Sequence, residues 1–388
     1  MKSSSDLDKG LKVLILHNVL WAHYKGAVFS ELSKLSVAKG WVFKVVHIAE
    51  TERQRIALGA AVDRSVHKYP YDVLFPGAIE ESGIVRRSLR VWRAIRSFRP
   101  DVVVVPGYSD FSYWVGAIAS RVCGAHSIVA VDSTEFDRPR VWWKEAIKRL
   151  FVRLCDAAFC YGVRAKDYCT KLGFSQDAVF TRCQATALAD VQNTCSAARL
   201  KRPSNDVRRF LYLGRISEEK NLPTLLAAFN KFCEEGDHQD WVLELVGGGP
   251  QLDALKRQTR NQPRVIWTPG VPASEIGEVF ARADVFILPS TSEPWGLVVN
   301  EAMACGVPVL VSNACGCAPD LVLEGETGYT FPATDANTLG ALMKRLAEDD
   351  EHRAFLGGAA SAHIANFTPV TAAEQMIQGF EFVSAARR

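Results

Sequence analysis

Short apolar runs alternate with amphipathic stretches along nearly the whole chain, and this alternation predicts the fold. In the first half, apolar runs lie at residues 12–16, 42–48, 72–75, 101–105, 127–131 and 157–160. In the second half, they lie at residues 209–213, 241–246, 264–267, 284–288 and 308–311. Stretches with helical periodicity separate most of them, as at residues 26–39 and 84–98. Alternating strands and helices are typical of an α/β protein whose parallel sheet carries helices on both faces.

A polar stretch interrupts this alternation and divides the chain. Residues 196–207 are rich in charged and small polar side chains, which indicates an interdomain linker. A chain of 388 residues is also longer than one hydrophobic core usually supports. We therefore predict two doubly wound, Rossmann-like domains, at residues 1–195 and 208–368, that face each other across a cleft. Residues 369–388 are predicted to form a closing helix with Ala372, Met376, Phe380 and Val383 along one side.

The composition is that of a globular protein, but the charge is unevenly distributed. Hydrophobic residues make up 48% of the chain and charged residues 23%, which excludes an intrinsically disordered protein. The net charge of +3 conceals a difference between the halves, because residues 1–190 carry 28 Lys and Arg against 19 Asp and Glu. Residues 191–388 carry 18 against 24. One half is therefore basic and the other acidic.

The cysteines and the chain's hydropathy bear on where the protein is located. Ten cysteines are scattered without two Cys-x-x-Cys units, so we interpret them as buried, reduced thiols rather than a zinc site. The nearest pair, Cys315 and Cys317, is expected to pack in the core. The first ten residues lack the apolar segment of a signal peptide. No run of about 18 apolar residues follows, and we therefore expect a cytoplasmic protein without a membrane-spanning segment.

The most informative stretch for chemistry carries two glutamates, Glu293 and Glu301, directly after the apolar run at 283–289. The order predicts a buried strand, a tight loop that contains Glu293, and a helix that begins near Trp295, with Glu301 about two turns along it. Carboxylates accept hydrogen bonds from hydroxyl groups, and free backbone N–H groups bind anions. The stretch therefore indicates a pocket for a phosphate-bearing polyhydroxyl ligand. A pair of glutamates at this spacing is common by chance, so the prediction depends on the whole stretch.

Two cations follow the strand at 209–213, namely Arg215 and Lys220. Because they leave the carboxyl end of a parallel strand, they are placed to clamp a diphosphate. The alternative is a solvated loop with incidental charge.

Two loops without charge follow the next strands. Gly248 and Gly249 lie between a strand and a helix, where a glycine backbone can approach an anion closely; the alternative is a simple turn. Gly270 and Val271 follow the strand at 264–267 and can offer backbone groups to the edge of a nucleobase.

These motifs, taken in order, resemble the retaining nucleotide-sugar glycosyltransferases of family 4, which have the GT-B fold. The resemblance covers essentially the whole carboxyl half and rests on the following segments: Gly214-Arg215 with Lys220, 246–250, 284–289, 292–297, 300–304, 306–308 and Gly328. It implies two facing Rossmann-like domains, of which the first binds the acceptor and the second the nucleotide sugar.

The resemblance also implies roles for single residues. Arg215 and Lys220 would hold the donor diphosphate, Glu293 would contact the sugar hydroxyls, and Glu301 would bond the nucleotide ribose. Loop amides of Trp295, Gly296 and Leu297 would assist Glu293. The expected donor-binding set is Arg215, Lys220, Gly248, Gly249, Gly270, Val271, Glu293, Trp295, Gly296, Leu297 and Glu301. Of these, Arg215, Lys220 and Glu293 are expected to act in catalysis.

The amino half departs from the family pattern in its first loop, which lacks paired glycines. Tyr24 and Lys25 open a helix there and resemble a variant found in members that build bacterial polysaccharides, which implies that they bind the acceptor.

The loop after residues 127–131 holds a cluster of carboxylates. Asp132 occupies the place where several family members have a catalytic histidine or aspartate. Glu135 is the second choice and an expected acceptor-binding residue. The alternative is that Asp132 or Ser133 merely caps a helix that starts near Val141.

The resemblance implies transfer of a hexose from a nucleotide diphosphate sugar to a saccharide or lipid-linked acceptor in surface polysaccharide or glycolipid assembly, with retention of anomeric configuration. Fixed cations and N–H dipoles would stabilise the leaving diphosphate without a metal or another cofactor. The sequence's Asp-x-Asp motif, Asp6 to Asp8, lies in the polar amino-terminal tail. Two alternatives are a sugar-nucleotide epimerase on the same fold and a non-catalytic, nucleotide-binding scaffold protein.

Two basic amphipathic stretches raise the question of a membrane partner. Residues 84–98 place Ile84, Leu89, Trp92 and Ile95 on one side and arginines on another, and residues 141–153 have the same mixture. Such helices can lie on anionic lipid at the inner face of the cell membrane. Alternatively, each covers its sheet and turns a solvated polar face outward. We expect no nucleic-acid partner, because no recognised binding module accompanies the arginines.

Overall fold

The computed structural model describes residues 10–53, 62–137, 140–203, 206–236 and 238–385. The Asp-x-Asp motif at residues 6–8 and residues 204–205 of the predicted linker lie outside the described residues. The chain forms two compact units. The first comprises Met1–Ser133, Arg140–Thr186 and Pro369–Arg388, and the second comprises Thr134–Pro139 and Ala187–Thr368.

The first unit is built on a parallel sheet. Its strands are β1 (Lys12–Val19), β2 (Val42–Thr51), β3 (Tyr71–Ala78), β4 (Val102–Val105), β5 (His126–Val131), β6 (Ala157–Cys160) and β7 (Val179–Phe180). Of these, β1, β2, β4 and β5 are rich in β-branched residues, which favour extended backbone. The strands lie in the order β3-β2-β1-β4-β5-β6-β7. The strand order reverses direction beside β1, which is the arrangement of a doubly wound sheet.

Helices cover both faces of this sheet. They are α1 (His23–Ala38), α2 (Ile84–Phe98), α3 (Phe111–Val122), α4 (Trp142–Val152) and α5 (Val163–Leu172). Successive residues of β1 point to opposite faces, so Leu14 and Leu16 join the core beneath α2 to α5, and Val13 and Ile15 join the core beneath α1. Burial on both faces explains why the strands read as continuous apolar runs.

The second unit repeats this architecture. Its strands are β8 (Arg208–Leu213), β9 (Trp241–Val246), β10 (Val265–Thr268), β11 (Val285–Leu288), β12 (Val309–Ser312) and β13 (Gly328–Phe331). They form a parallel sheet in the order β10-β9-β8-β11-β12-β13. The sequence pattern located every strand of both sheets except β7 and β13. Both are short edge strands, and β7 has only two residues, too few to show a period.

The helices of the second unit are α6 (Ala189–Arg199), α7 (Leu222–Glu234), α8 (Leu252–Gln258), α9 (Ile276–Ala281), α10 (Leu297–Ala304), α11 (Ala318–Leu321), α12 (Ala336–Glu348) and α13 (Asp350–Ile364). Short 3₁₀ helices lie at Arg64–Val66, Ile79–Glu81, Gln176–Ala178, Glu218–Lys220 and Ala273–Glu275.

The boundary between the units differs from the predicted one. The chain leaves the first unit at Thr186, and α6 belongs to the second unit although its last turn falls in the predicted linker. Helix α6 packs closely against α9 of the second unit. Glycine at position 277 of α9 permits this, because a Cβ there would lie 2.5 Å from the Val191 carbonyl oxygen of α6. Only Cys195 of α6 is fully buried. Most side chains of this helix are therefore polar or small, and its last turn resembles a linker in the sequence.

The carboxyl-terminal segment forms the predicted helix, α14 (Pro369–Ala385), which packs in the first unit. Ala372, Met376, Phe380 and Val383 are all buried, as the periodicity predicted. The Phe380 ring lies 5.5 Å from that of Phe159, and at Gly379 a Cβ would lie 2.2 Å from Phe159. The first unit is therefore completed by the last residues of the chain.

The predicted apolar side of α2 is partly wrong. Ile84 and Leu89 are exposed, and the buried positions are Ser88, Val91 and Ile95. Over the part of the chain that the structure describes, no helix is both long and apolar enough to cross a membrane. All ten cysteines are free thiols.

Phe380→Ala is expected to destabilise the protein by about 3–5 kcal/mol, because it removes a fully buried ring and leaves a cavity. Urea unfolding measures this change. Phe382→Ala on the same helix is the control, since Phe382 is 41% exposed and its loss should cost about 1 kcal/mol or less. Equal effects of the two substitutions would contradict the docking of α14 described above.

Candidate active site

Glycine loops organise the carboxyl edge of the second sheet. The Gly214 N–H donates to the Val246 carbonyl at 3.0 Å, and the Ile216 N–H donates to the Gly248 carbonyl at 2.9 Å. A Cβ at Gly247 would lie 1.9 Å from the Gly214 oxygen, and one at Gly249 would lie 2.3 Å from the Ile216 oxygen. Only glycine permits so close a contact between the two loops, and φ is positive at both positions.

Gly248 has a different environment from its neighbours. It is exposed, and a Cβ there would meet nothing within 4 Å. Gly270 is also exposed and lies beside the same loop, with its Cβ position 3.8 Å from the Gly247 Cα. Gly249 therefore permits the close contact between the loops, whereas the backbone groups of Gly248 and Gly270 are accessible to a ligand. Val271, which follows Gly270, is partly exposed.

Lys220 is held in place by the residue that follows it. Asn221 adopts the left-handed conformation, with φ of 54°. Its side-chain amide donates to the Pro289 carbonyl at 3.1 Å and to the Ala333 carbonyl at 2.6 Å. This brace ties the Lys220 turn to the end of β11, where the loop with Glu293 begins.

The Lys220 ammonium forms an ion pair with the Glu293 carboxylate. The two side chains are only 19% and 15% exposed. The sequence predicted Lys220 for a diphosphate and Glu293 for a sugar, and the structure brings the two groups into direct contact. Arg215 lies on the same loop as Lys220 but has an exposed side chain. Its carbonyl accepts a hydrogen bond from the Tyr212 hydroxyl at 2.6 Å, which fixes its backbone.

The Glu293 loop is pinned on both sides. The Gly316 N–H donates to the Glu293 carbonyl at 2.8 Å, and the Trp295 indole N–H donates to Asn300 Oδ1 at 3.0 Å. The Trp295 side chain is buried, so only its backbone is placed for the predicted contact. Gly296 is left-handed, with φ of 99°, and a Cβ there would lie 3.3 Å from Glu293 Cγ.

The helix after this loop begins later than predicted. The left-handed Gly296 is its N-cap, and α10 starts at Leu297 rather than near Trp295. Glu301 consequently lies about one turn into the helix, not two. In the first turn of α10, the Val299 N–H donates to the Gly296 carbonyl at 2.9 Å. Helix N–H groups ahead of it have no acceptor within the helix and are potential donors to a ligand.

Glu301 is a desolvated carboxylate. Burial raises its pKa from 4.5 to about 7. Among the described residues, its carboxylate has no hydrogen-bond or ion-pair partner. The protein thus maintains an acidic group that lacks the contacts that normally compensate burial, which is common where a ligand supplies them.

The first unit contains a separate cavity of about 110 Å³ at the carboxyl edge of its sheet. Tyr24, Lys25 and Asp132 line it, as do His17, Asn18, Tyr161 and Cys183. These residues follow or end strands β1, β5, β6 and β7, or lie in the first turn of α1. The structure therefore brings together three of the predicted residues in this half. Glu135 does not line the cavity and lies in an exposed turn within 134–139, a segment that clusters with the second unit.

The alternative role for Asp132 or Ser133 as a helix cap is wrong. Helix α4 begins at Trp142, and its N-cap is Val141, which makes no side-chain cap. Asp132 is exposed directly after β5. Its position at the cavity is therefore unrelated to the start of α4.

Several site residues were not found from the sequence. Asn221 and Asn300 brace the donor-side loops, and Cys183 and Tyr161 line the cavity. An asparagine directly before the Leu-Pro start of a helix was a usable signal for a left-handed turn at Asn221. The others carry no local signal, because they meet their partners only through the sheet.

No group of three or more His, Cys, Asp and Glu that could hold a metal ion occurs within the described ranges. The expectation of a reaction without a metal or another cofactor stays a prediction.

Glu301→Gln is expected to stabilise the protein above about pH 7 and to have little effect near pH 5. The folded protein holds the Glu301 proton more tightly than the unfolded chain, so stability falls as pH rises from 4.5 to about 7. The gain should be on the order of 2–3 kcal/mol at about pH 8. Urea unfolding across this range tests it, with Glu275→Gln on an exposed surface as the charge control. A pH-independent difference between Glu301→Gln and the wild type would contradict burial of an ionisable carboxyl group.

Known proteins resemble this chain in sequence and in fold. The family described as glycosyl transferases group 1 matches residues 198–363, the range that holds Arg215, Lys220, Glu293 and Glu301. The chain is 34% identical over 153 residues to a sulfoquinovosyl transferase of Arabidopsis thaliana, a match that covers 39% of this chain and 28% of that protein. It is 28% identical over 312 residues to a glycogen synthase of Mycobacterium tuberculosis, which covers 77% of this chain and 73% of that protein.

The fold is shared with solved structures. The structure of Anabaena HepE in complex with UDP and glucose aligns with a TM-score of 0.71 at 18% identity, over 96% of this chain and 99% of that one. Residues 198–363 match the group 1 glycosyl transferases, and the chain has the GT-B fold.

Proposed function

We propose that this protein is a retaining glycosyltransferase of family 4 that transfers a hexose from a nucleotide diphosphate sugar to a saccharide or lipid-linked acceptor. The observation that carries the proposal is the Lys220–Glu293 ion pair, which lies between the ends of β8 and β11 beside the glycine loops. It combines a cation for phosphate with a carboxylate for hydroxyl groups at one edge of one sheet.

The second unit supplies the donor contacts. Lys220 and Arg215 bind the diphosphate, Glu293 accepts hydrogen bonds from the sugar hydroxyls, and Glu301 accepts them from the ribose. Gly248, Gly270 and Val271 offer backbone groups to the nucleotide. The desolvated Glu301 supports its assigned role, because ribose hydroxyls would supply the hydrogen bonds that this carboxylate lacks. UDP in the Anabaena structure named above supports a nucleotide donor.

Binding of the donor would break the Lys220–Glu293 ion pair. In the free protein, the Lys220 ammonium and the Glu293 carboxylate neutralise each other. The diphosphate competes for the ammonium, and the sugar hydroxyls replace it at the carboxylate. Breaking the ion pair is costly unless both charged groups gain new contacts. A nucleotide alone offers a new partner only to Lys220, and a sugar alone offers one only to Glu293.

The transfer step breaks the bond between the anomeric carbon and the phosphate oxygen, and the electron pair goes to that oxygen. Positive charge develops on the sugar and negative charge on the diphosphate, which Lys220, Arg215 and the first amides of α10 stabilise. The acceptor oxygen then bonds to the anomeric carbon on the same face, and its proton goes to the leaving phosphate. This route retains configuration and requires no metal or side-chain nucleophile.

The first unit supplies the acceptor contacts. Tyr24 and Lys25 line the cavity and bind the acceptor, and Asp132 at the same cavity acts near the reacting sugar. Glu135, in the exposed turn that follows, contacts a part of the acceptor outside the cavity.

The outer surface of α2, α3 and α4 supports contact with an anionic membrane. On α4, Trp142 is 82% and Trp143 is 48% exposed, and Ile147 and Leu150 are exposed as well. Further exposed apolar residues are Val85, Leu89, Phe111, Ile118 and Val122, and exposed cations on the same helices are Arg86, Arg90, Arg93, Arg96, Arg121, Lys144 and Arg149. Tryptophan among basic residues is typical of a surface that inserts into the headgroup region of anionic lipid.

This surface and the cysteines together favour a location at the inner face of the cell membrane. Ten free thiols, of which most are buried, fit a reducing compartment. A lipid-linked acceptor would give the membrane contact a function in surface polysaccharide or glycolipid assembly.

Glu293→Ala is expected to lower transfer by about 10²–10³, because the sugar loses its carboxylate contact in the transition state. Lys220→Ala and Arg215→Ala are expected to weaken nucleotide binding, measured by calorimetry with UDP and GDP. Release of nucleotide from a panel of sugar nucleotides, with and without acceptor extract and with and without EDTA, measures turnover. Glu235→Ala at the exposed end of α7 is the control.

Each outcome of this assay supports a different candidate function. Release that depends on the acceptor supports transfer, conversion of the sugar nucleotide indicates an epimerase, and binding without either reaction indicates a scaffold protein. Loss of activity in EDTA would overturn the metal-independent mechanism. Full turnover by Glu293→Ala would remove the sugar site from its proposed position.

Replacing both Trp142 and Trp143 with serine is expected to lower binding to vesicles that contain about 30% phosphatidylglycerol by roughly tenfold or more, because two large interfacial side chains are lost. Sedimentation with vesicles measures it, and binding should weaken with added salt. Leu200→Ser is the control, since Leu200 is 90% exposed but lies in the second unit. Equal binding to neutral phosphatidylcholine vesicles would contradict an electrostatic contribution.

A further inference from the structure

The ammonium group of Lys25 lies in an unusual environment. Among the described residues, no carboxylate lies within ion-pair distance of it, and its contact is the Tyr161 ring, 4.9 Å from the ammonium to the ring centroid. Burial lowers the pKa of Lys25 to about 8, against the opposing effects of Cys183 and Asp132. A cation removed from water without a counter-ion is costly, and an anion at this point would remove that cost.

The cavity wall supplies no anion within ion-pair distance of Lys25 among the described residues. Burial raises the pKa of the Cys183 thiol to about 12 and also raises that of the Tyr161 hydroxyl, so both groups are neutral at pH 7. Burial, followed by the nearby His47, lowers the pKa of His17, which is neutral as well. The remaining charged residue among the described lining is Asp132, which is exposed. Lys25 thus gives the interior of the cavity a positive potential.

The first turn of α1 strengthens this potential. Tyr24 and Lys25 belong to that turn and line the cavity. The N-cap residue Ala22 makes no side-chain cap, and its carbonyl accepts the Lys25 N–H at 2.9 Å. The N–H groups at the start of the helix carry positive partial charge and are suited to an anion.

The size of the cavity limits what enters it. Its volume of about 110 Å³ is smaller than the roughly 150 Å³ that accommodates a benzene molecule in a protein interior. A hexose ring is larger than benzene and does not fit entirely within it. A carboxylate or phosphate substituent fits, while the ring that carries it stays at the mouth, where Asp132 is exposed.

We propose that the acceptor is an acidic saccharide or a phosphorylated one, and that its anionic group enters this cavity and pairs with Lys25. This inference rests on the proposed function and specifies the chemical class of the acceptor. In the bound state, a hydroxyl of the same sugar lies at the mouth of the cavity beside Asp132. Neutral acceptors would leave the half-buried Lys25 without a counter-ion, which makes Lys25 a determinant of specificity.

Three probes separate the sources of the anion. Methyl β-D-glucuronide carries a carboxylate, D-glucose 6-phosphate carries a phosphate, and methyl β-D-glucoside is the neutral counterpart. Their affinities for the full-length protein are measured by ligand-observed NMR, and the affinity for UDP is measured separately by calorimetry. The variants are Lys25→Met, which keeps the length of the side chain without its charge, and Lys25→Gln in case the first fails to fold. Lys34→Met on the exposed side of α1 is the matched control.

At least one acidic probe is expected to bind the wild type about tenfold or more tightly than the glucoside, and Lys25→Met should remove this preference. Lys34→Met should preserve the preference, and both variants should bind UDP like the wild type. Equal affinity for acidic and neutral probes, or no binding of either acidic probe, would overturn the proposal. A parallel loss of UDP affinity in Lys25→Met would also overturn it, because the anion would then be the donor phosphate.

The outcome is distinct from that of the proposed function. If the protein binds UDP and turns over a sugar nucleotide but shows no preference for acidic probes, the acceptor class is wrong and the transferase proposal stands. If no nucleotide binds and no sugar nucleotide is turned over, the proposed function itself is wrong.

Discussion

The parallel direction of every strand within each sheet is the constraint on which the rest of this structure depends. Because all strands of a sheet end at the same edge, loops that are far apart in the sequence meet there. In the second unit, the loops after β8 and β9 contact each other so closely that a Cβ at Gly247 or Gly249 would overlap the opposite backbone. The packing of the two loops by itself therefore requires glycine at these positions.

The Lys220–Glu293 pair shows how this packing prepares a site. Asn221 ties the lysine turn to the end of β11, and Trp295 and Asn300 hold the glutamate loop from the other side. Both charged side chains are largely shielded from solvent, so separating them without a substitute is costly. A sugar nucleotide supplies a substitute for each, which links recognition of the diphosphate to recognition of the sugar.

Each unit contains a shielded ionisable group without an ion-pair partner among the described residues. In the second unit, the Lys220 cation has a carboxylate partner, whereas Glu301 has none among the described residues and has a raised pKa. In the first unit, Lys25 likewise lies in a confined space, with no carboxylate of the described ranges at ion-pair distance, and its pKa is lowered. Each uncompensated charge costs stability in the free protein, and proteins commonly accept this cost where a ligand restores the missing interaction.

The sequence by itself determined the α/β class, eleven of the thirteen strands that the structure describes, and the family resemblance, because apolar runs and loop motifs are local patterns of consecutive residues. It also placed Lys220 and Glu293 at strand ends and predicted the buried side of α14. It did not reveal that Lys220 pairs with Glu293, that Asn221 and Asn300 brace their loops, or that α6 belongs to the second unit. Only the tertiary structure decided these points, together with the start of α10 at Leu297 and the exposure of Ile84 and Leu89. They depend on which residues meet across the sheet edge and on how closely two backbones approach, and neither quantity is encoded in the spacing of residues along the chain.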